Sequence, residues 1–261
     1  MAHTIVCTGR GGVGKSTFVA LIVKYLKPPS LLIDLDPDLS LADMLGVDFR
    51  KEGKRTVCEV LYDVVERRRS NVSPSITTHE LMESLLWSDC LYERASFDLI
   101  TLGTKYTEGC LCAADNLLRR TIPKLANNYT NVVVDSPAGV EHLNRNIVSS
   151  VDDLFVLCDP SDKALKHIER IKRIITEVGI KYTHFYLVAN HEFDEQAEAY
   201  VRNTGEVYLG KVEYDSNVEQ YNLNGKSLLM LPQDSPASLS AKGILANAGY
   251  DIRYDSSRKE K

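Results

Sequence analysis

Eight residues near the start of the chain, Gly9-Arg10-Gly11-Gly12-Val13-Gly14-Lys15-Ser16, have the types and spacing of a phosphate-binding loop. They fit G-x-x-x-x-G-K-[ST], in which glycines let main-chain N–H groups close around phosphate oxygens, the lysine meets the terminal phosphates and the hydroxyl ligates magnesium. Gly11, Gly12, Val13, Gly14, Lys15, Ser16 and Thr17 are therefore the candidate nucleotide contacts. Lys15 is also a candidate catalytic residue, because its charge can bridge the β- and γ-phosphates as negative charge builds there. Two acidic positions suit the same chemistry. Asp135 follows the apolar run Val132-Val133-Val134 and is placed to hold Mg²⁺ through water. Asp36, in Leu31-Leu32-Ile33-Asp34-Leu35-Asp36-Pro37-Asp38, ends a second strand at the same edge and is placed to orient an attacking water.

A second chemistry belongs to Cys110 and Cys112, the only close pair among six cysteines. They precede a helical stretch, where the helix terminus favours thiolates that bind soft metals. Two thiolates rarely complete a site, but two copies related by a two-fold axis supply four sulfurs. That set suits tetrahedral Zn²⁺, four-coordinate Ni²⁺ or an iron–sulfur cluster, and it implies a symmetric dimer. Cys7, Cys58, Cys90 and Cys158 read as core residues, and Glu141 and His142 as weaker candidates beside the Asp135 loop.

The elements that must position these residues follow from the apolar pattern. Runs at 4–8, 31–33, 99–102, 132–134, 154–157, 185–188 and 206–209 predict strands, with helical periodicity at 16–26, 57–69, 113–125, 140–148, 163–177, 194–202 and 236–248. The alternation predicts an α/β fold with a doubly wound, mostly parallel sheet flanked by helices, and Val132-Val133-Val134 is apolar throughout, as a strand covered on both faces requires. One phosphate-loop domain over 1–249 accounts for the pattern, with a less regular helical insertion at about 50–97 and a polar tail at 250–261. Arg67-Arg68-Arg69 reads as a solvated helix end.

With 261 residues, 44% hydrophobic and 26% charged, and a net charge of −5, the chain is neither disordered nor a disulfide scaffold, and no basic excess supports binding to nucleic acid or an anionic membrane. No apolar run is long enough to cross a bilayer and no signal peptide is visible, so the expectation is a cytoplasmic protein with neither nucleic acid nor membrane as partner.

The loop with a cation at Arg10, Asp36-Pro37-Asp38 and Asp135-Ser136-Pro137-Ala138-Gly139 together resemble the MinD/ParA/nitrogenase-iron-protein class of P-loop ATPases. That class carries G-K-G-G-V-G-K-[ST], whose extra lysine reaches the phosphates of the partner subunit in an ATP-bound dimer. The resemblance gives Arg10 that catalytic role here, with a planar fork in place of a point charge. A closer resemblance, to CooC-type ATPases that help insert nickel into carbon monoxide dehydrogenase, rests on Glu108-Gly109-Cys110-Leu111-Cys112-Ala113-Ala114-Asp115-Asn116 and Gly139-Val140-Glu141-His142-Leu143-Asn144-Arg145. It extends over nearly the whole chain in element order and is weakest at 50–97. It implies ATP/ADP and Mg²⁺ as cofactors, Ni²⁺ or Zn²⁺ at Cys110 and Cys112, a homodimer when ATP or metal is bound, and a carbon monoxide dehydrogenase-like client. It also places adenine against Asn190, although His191 stands where the class has lysine. An electron-transfer ATPase like the nitrogenase iron protein is the first alternative, but that family spaces its two cluster cysteines far apart. A MinD/ParA-type positioning ATPase is the second, but the 236–248 helix carries only Lys242.

Overall fold

Short apolar runs bounded by turn residues become eight strands of one sheet in a computed structural model that describes residues 2–69, 78–104, 112–138, 147 and 150–252. They are β1 (His3–Gly9), β2 (Ser30–Asp34), β3 (Tyr92–Glu93), β4 (Phe97–Thr101), β5 (Asn131–Asp135), β6 (Ser150–Cys158), β7 (Lys181–Ala189) and β8 (Val207–Lys211). Their spatial order is β3-β4-β2-β5-β1-β6-β7-β8. All neighbours run parallel except β3, a two-residue edge strand antiparallel to β4. The chain builds to one side of β1 through β2 and to the other through β6, which opens a crevice at the carboxyl ends of the central strands.

Both faces of the sheet are covered. Val132 and Val134 enter one core with Leu31, Ile33 and Ile100, while Val133 enters the other with Leu32, Leu99 and Phe18. The unbroken valine run is what a strand buried on both sides demands.

The helices are α1 (Lys15–Ile22), α2 (Ser40–Met44), α3 (Val57–Arg69), α4 (Thr78–Leu85), α5 (Cys112–Ala126), α6 (Asp162–Val178), α7 (Glu195–Arg202), α8 (Ser216–Leu223) and α9 (Pro236–Asn247). Three differ from expectation. The first helix stops four residues early, where Tyr25 N–H closes a tight turn on Ile22 O at 2.9 Å ahead of Pro28-Pro29. The five-residue α2 is held by burial of Leu41 and Ala42, a tertiary effect that periodicity cannot register. The unexpected α8 buries none of its residues and so shows no apolar stripe. Arg67 to Arg69 end α3, with side chains outside the described residues, as is nearly all of the helix expected at 140–148. No helix among the described residues is long and apolar enough to cross a membrane.

Near the amino edge of the sheet, Asp153 joins three strands and the segment after α9. Its Oδ2 accepts from His3 Nε2 at 2.7 Å and from the Tyr250 hydroxyl, and its Oδ1 accepts from His184 Nδ1 at 2.7 Å. Asp153 and His184 are register partners on β6 and β7, which puts them on one face.

Candidate functional site

The phosphate loop leaves β1 through a backbone that only glycine fits at two points. A Cβ on Gly9 would lie 2.5 Å from Leu157 O on neighbouring β6, and Gly14 enters α1 at φ 94°, in the left-handed region. The loop therefore turns sharply at the carboxyl end of β1 and delivers the N-terminus of α1, with its partial positive charge, to the crevice. Lys15 is 7% exposed and its ammonium donates to Arg10 O at 3.0 Å, closing the loop on itself. Burial pushes its pKa down, against the charges of Asp135 and Asp36, so all three groups share one electrostatic environment.

Three aspartates face this lysine's end of the sheet. Asp34 and Asp135 are register partners on β2 and β5, both completely buried. Asp34 accepts N–H bonds from Asp36 at 3.0 Å and Leu41 at 3.2 Å, and it thereby fixes the loop carrying Asp36 and the start of α2. Asp36 is half-buried and accepts from Asp38 N–H at 3.0 Å. Neither oxygen of Asp135 has a hydrogen-bond partner among the described residues. Burial drives its carboxyl up to about 7, against the nearby Ser16 hydroxyl and Lys15 ammonium. A buried carboxylate left without donors is costly unless a cation completes it. With the Ser16 hydroxyl beside it, Asp135 fits Mg²⁺, whose preferred ligands are such hard oxygens.

On the other side of the loop lies a cavity of about 360 Å³ lined by Gly11, Gly12, Val13, Asp159, Pro160, Ser161, Asn190 and Glu192. Asn190 follows β7 and is 7% exposed; its amide donates to Glu192 Oε2 at 3.3 Å and accepts Glu192 N–H at 3.2 Å, which fixes its orientation. The Thr17 hydroxyl, by contrast, donates to the Met44 sulfur at 3.6 Å, so that side chain serves the contact of α1 with α2. The Arg10 guanidinium is engaged on its own chain, 2.7 Å from Asp159 Oδ2 and 3.0 Å from Ser161 Oγ.

The crevice thus unites Arg10, the loop from Gly11 to Thr17, Asp36, Asp135 and Asn190. The sequence did not single out Asp34, Asp159, Ser161 or Glu192. Their signal, had it been used, was position: each follows or ends a strand at the carboxyl edge. Cys110 lies outside the described residues, as do Glu141, His142 and the side chain of Cys112, whose backbone opens α5. Among the described residues, no group of three or more His, Cys, Asp or Glu could hold a metal ion. Cys7, Cys58, Cys90 and Cys158 are buried, the core residues they were expected to be.

A family model described as AAA domain matches residues 2–185. An uncharacterized ATP-binding protein of Methanocaldococcus jannaschii is 34% identical over 237 residues, 88% of this chain and 92% of that protein. The carbon monoxide dehydrogenase accessory protein CooC of Rhodospirillum rubrum is 26% identical over 85% of this chain and 88% of its own length. In fold, the MinD cell division protein of Aquifex aeolicus superposes with a TM-score of 0.66 at 21% identity, over 97% of this chain and 100% of that one. A phosphate loop, an acidic strand end and a matching family model over most of the sheet place the chain in the AAA domain family as a P-loop ATPase, with the fold of the MinD/ParA-type ATPases.

Proposed function

We propose that this ATPase is a metallochaperone: a nucleotide-gated homodimer that assists nickel insertion into a carbon monoxide dehydrogenase-like client through Cys110 and Cys112 of both subunits. The observation that carries the reading is how the chain leads into the cysteines. Leu102, just past β4, donates its N–H to Asp34 O at 2.8 Å, and the Thr104 hydroxyl donates to Pro37 O at 3.0 Å. Leu102 and Thr104, a few positions before Cys110, are therefore tied to the loop that carries Asp36, so in this reading a change in that loop on ATP binding or hydrolysis is passed toward the cysteines. The resemblance to CooC-type ATPases supplies the cargo and the client.

In this reading Lys15 leaves Arg10 O to meet the phosphates, the main-chain N–H groups of Gly11 to Thr17 surround them, and Asn190 meets adenine. Ser16 and Asp135 hold Mg²⁺, which neutralises phosphate charge when bound. Asp36 accepts a hydrogen bond from the attacking water and orients it, and Arg10 crosses to the partner's phosphates. Nickel, or zinc in its place, is cargo bound by four sulfurs that only the dimer provides.

Titration of the protein with Ni²⁺ or Zn²⁺, with ADP and with the β,γ-imido analogue of ATP, tests this. One metal per two chains is expected, with an affinity that depends on nucleotide and is lost in the Cys110→Ala/Cys112→Ala variant. One tight metal per chain, untouched by that double substitution, would overturn the reading. Iron and a brown colour would instead favour electron transfer.

A further inference from the structure

The Arg10 guanidinium is the cation that the proposed dimer sends across to its partner, and in the single chain it is already occupied. Its Nη1 makes both contacts, to Asp159 Oδ2 at 2.7 Å and to Ser161 Oγ at 3.0 Å. Asp159 in turn accepts Ser161 N–H on Oδ1 at 3.0 Å, so Arg10, Asp159 and Ser161 form a closed ring between the phosphate loop and the start of α6. Asp159 is the more sheltered partner, with its side chain 17% exposed against 36% for Arg10. Burial alone would push its carboxyl up, but Ser161 and Arg10 outweigh that and hold it below the usual carboxylate range. The main chain of the same arginine is held by Lys15, whose ammonium rests on Arg10 O.

These contacts sit in a basic corner. On α6, one face turns His167 toward the loop, where its Nε2 is buried with no hydrogen-bond partner among the described residues. Burial, followed by the charges of Arg10, Arg170 and Lys15, lowers the pKa of that ring, and Asp159 opposes them. Asp159 is thus the anion paired with Arg10 on its own chain. It fills on its own chain the part that a phosphate group would fill in the nucleotide-bound pair, and the two compete for one guanidinium.

We infer that Asp159, aided by Ser161, is a positioning residue that parks Arg10 on its own subunit, so that it sets the nucleotide concentration at which two copies associate. The inference rests on the proposed crossing of Arg10 to the partner. Arginine suits such a residue better than lysine, because its rigid fork can hold a carboxylate and a hydroxyl with one nitrogen and keep the others for a second acceptor.

Sedimentation velocity over a titration with the magnesium-bound β,γ-imido analogue of ATP reads the effect. Asp159→Asn is expected to lower the analogue concentration for half-dimerisation by up to about fivefold, the scale of a partly exposed ion pair. Ser161→Ala is expected to move it the same way by less, and it covers the case in which the aspartate variant folds poorly. In an Arg10→Ala background, which should itself need far more analogue, Asp159→Asn should change nothing further. If Arg10→Ala dimerises like wild type, the crossing of Arg10 is wrong and the parking role falls with it. If Arg10→Ala weakens the dimer but Asp159→Asn and Ser161→Ala leave the midpoint where it was, or if Asp159→Asn still acts without Arg10, the parking role alone is overturned.

Discussion

Asp135, at the carboxyl end of β5, and Asp153, toward the amino end of β6, lie on the two strands that flank β1 and are both withdrawn from water. Their surroundings are opposite. Asp153 spends both oxygens on His3, His184 and Tyr250; burial pushes its carboxyl up, but these hydrogen bonds outweigh it and hold it below the usual range. Asp135 has no hydrogen-bond donor among the described residues and rises to about 7. One sheet therefore keeps a finished carboxylate at one end and an unfinished one at the other. The difference separates an aspartate whose partners are in the chain from one whose partner must arrive.

Substitutions can break this comparison. The largest effect is expected at the unfinished end: Lys15→Ala should reduce ATP turnover by roughly 10²–10³-fold, the scale of losing one preorganised charge stabiliser. Its melting temperature should stay near wild type, because the ammonium's hydrogen bond is to a loop carbonyl. Asp36→Asn should retain nucleotide binding, measured by calorimetry, while turnover falls about 10²-fold, since an amide orients water poorly and accepts no proton. Wild-type turnover in either variant would move the chemistry elsewhere.

The two carboxylates should then respond with opposite signs. Asp153→Ala strands two imidazoles and a phenol and should cost about 2–3 kcal/mol in denaturant unfolding. Asp135→Asn removes a buried carboxylate without donors, so the nucleotide-free protein should be as stable as wild type or about 1 kcal/mol more so, while losing magnesium-dependent nucleotide affinity. Equal destabilisation by both would erase the distinction.

A smaller effect is expected from pH. Asp135 binds its proton more tightly folded than unfolded, so its contribution is fully present below the unfolded value near 3.8 and is lost as pH rises toward about 7. His3, raised mainly by its hydrogen bond to Asp153, contributes below 6.5 and loses that contribution as pH climbs through its higher folded value. Asp153 acts oppositely: its contribution is present above 3.8 and lost as pH falls through its depressed value. Nucleotide-free protein should therefore melt progressively lower from pH 5 to pH 8, and magnesium with nucleotide should flatten that slope. A melting temperature that rises over this interval without ligand would contradict the assignment.

The unfinished end was largely legible in the sequence, because its parts are local. Gly9 to Ser16 and the strand before it are contiguous, and the glycine pattern states its own purpose. Asp135 could be read because it ends an apolar strand, and Asp36 because it lies just past one. Asp34 was not separable from Asp36, since only the directions of the Asp36 and Leu41 N–H groups show which one builds the loop. Arg10 owed its role to the resemblance alone, and its partner Asp159, 149 positions away, could not be seen. The finished end was invisible for the same reason: Asp153 looks like any strand aspartate until β1, β7 and the segment after α9 are brought to it. Short helices such as α2 fail similarly, being held by burial against α1 and showing no repeat of their own.

The Asp153 cluster has a consequence for the order in which the molecule is made. His3 and Tyr250 meet at 3.1 Å although 247 positions separate them, so the chain must be synthesised through residue 250 before the phenol can reach the carboxylate. Until residue 250 clears the ribosome, β1, β6 and β7 can be assembled around an aspartate that lacks its last donor. A nascent chain arrested shortly before that point should carry a complete phosphate loop and an open amino edge, and a pulse of protease would distinguish it from the released protein by cleavage there.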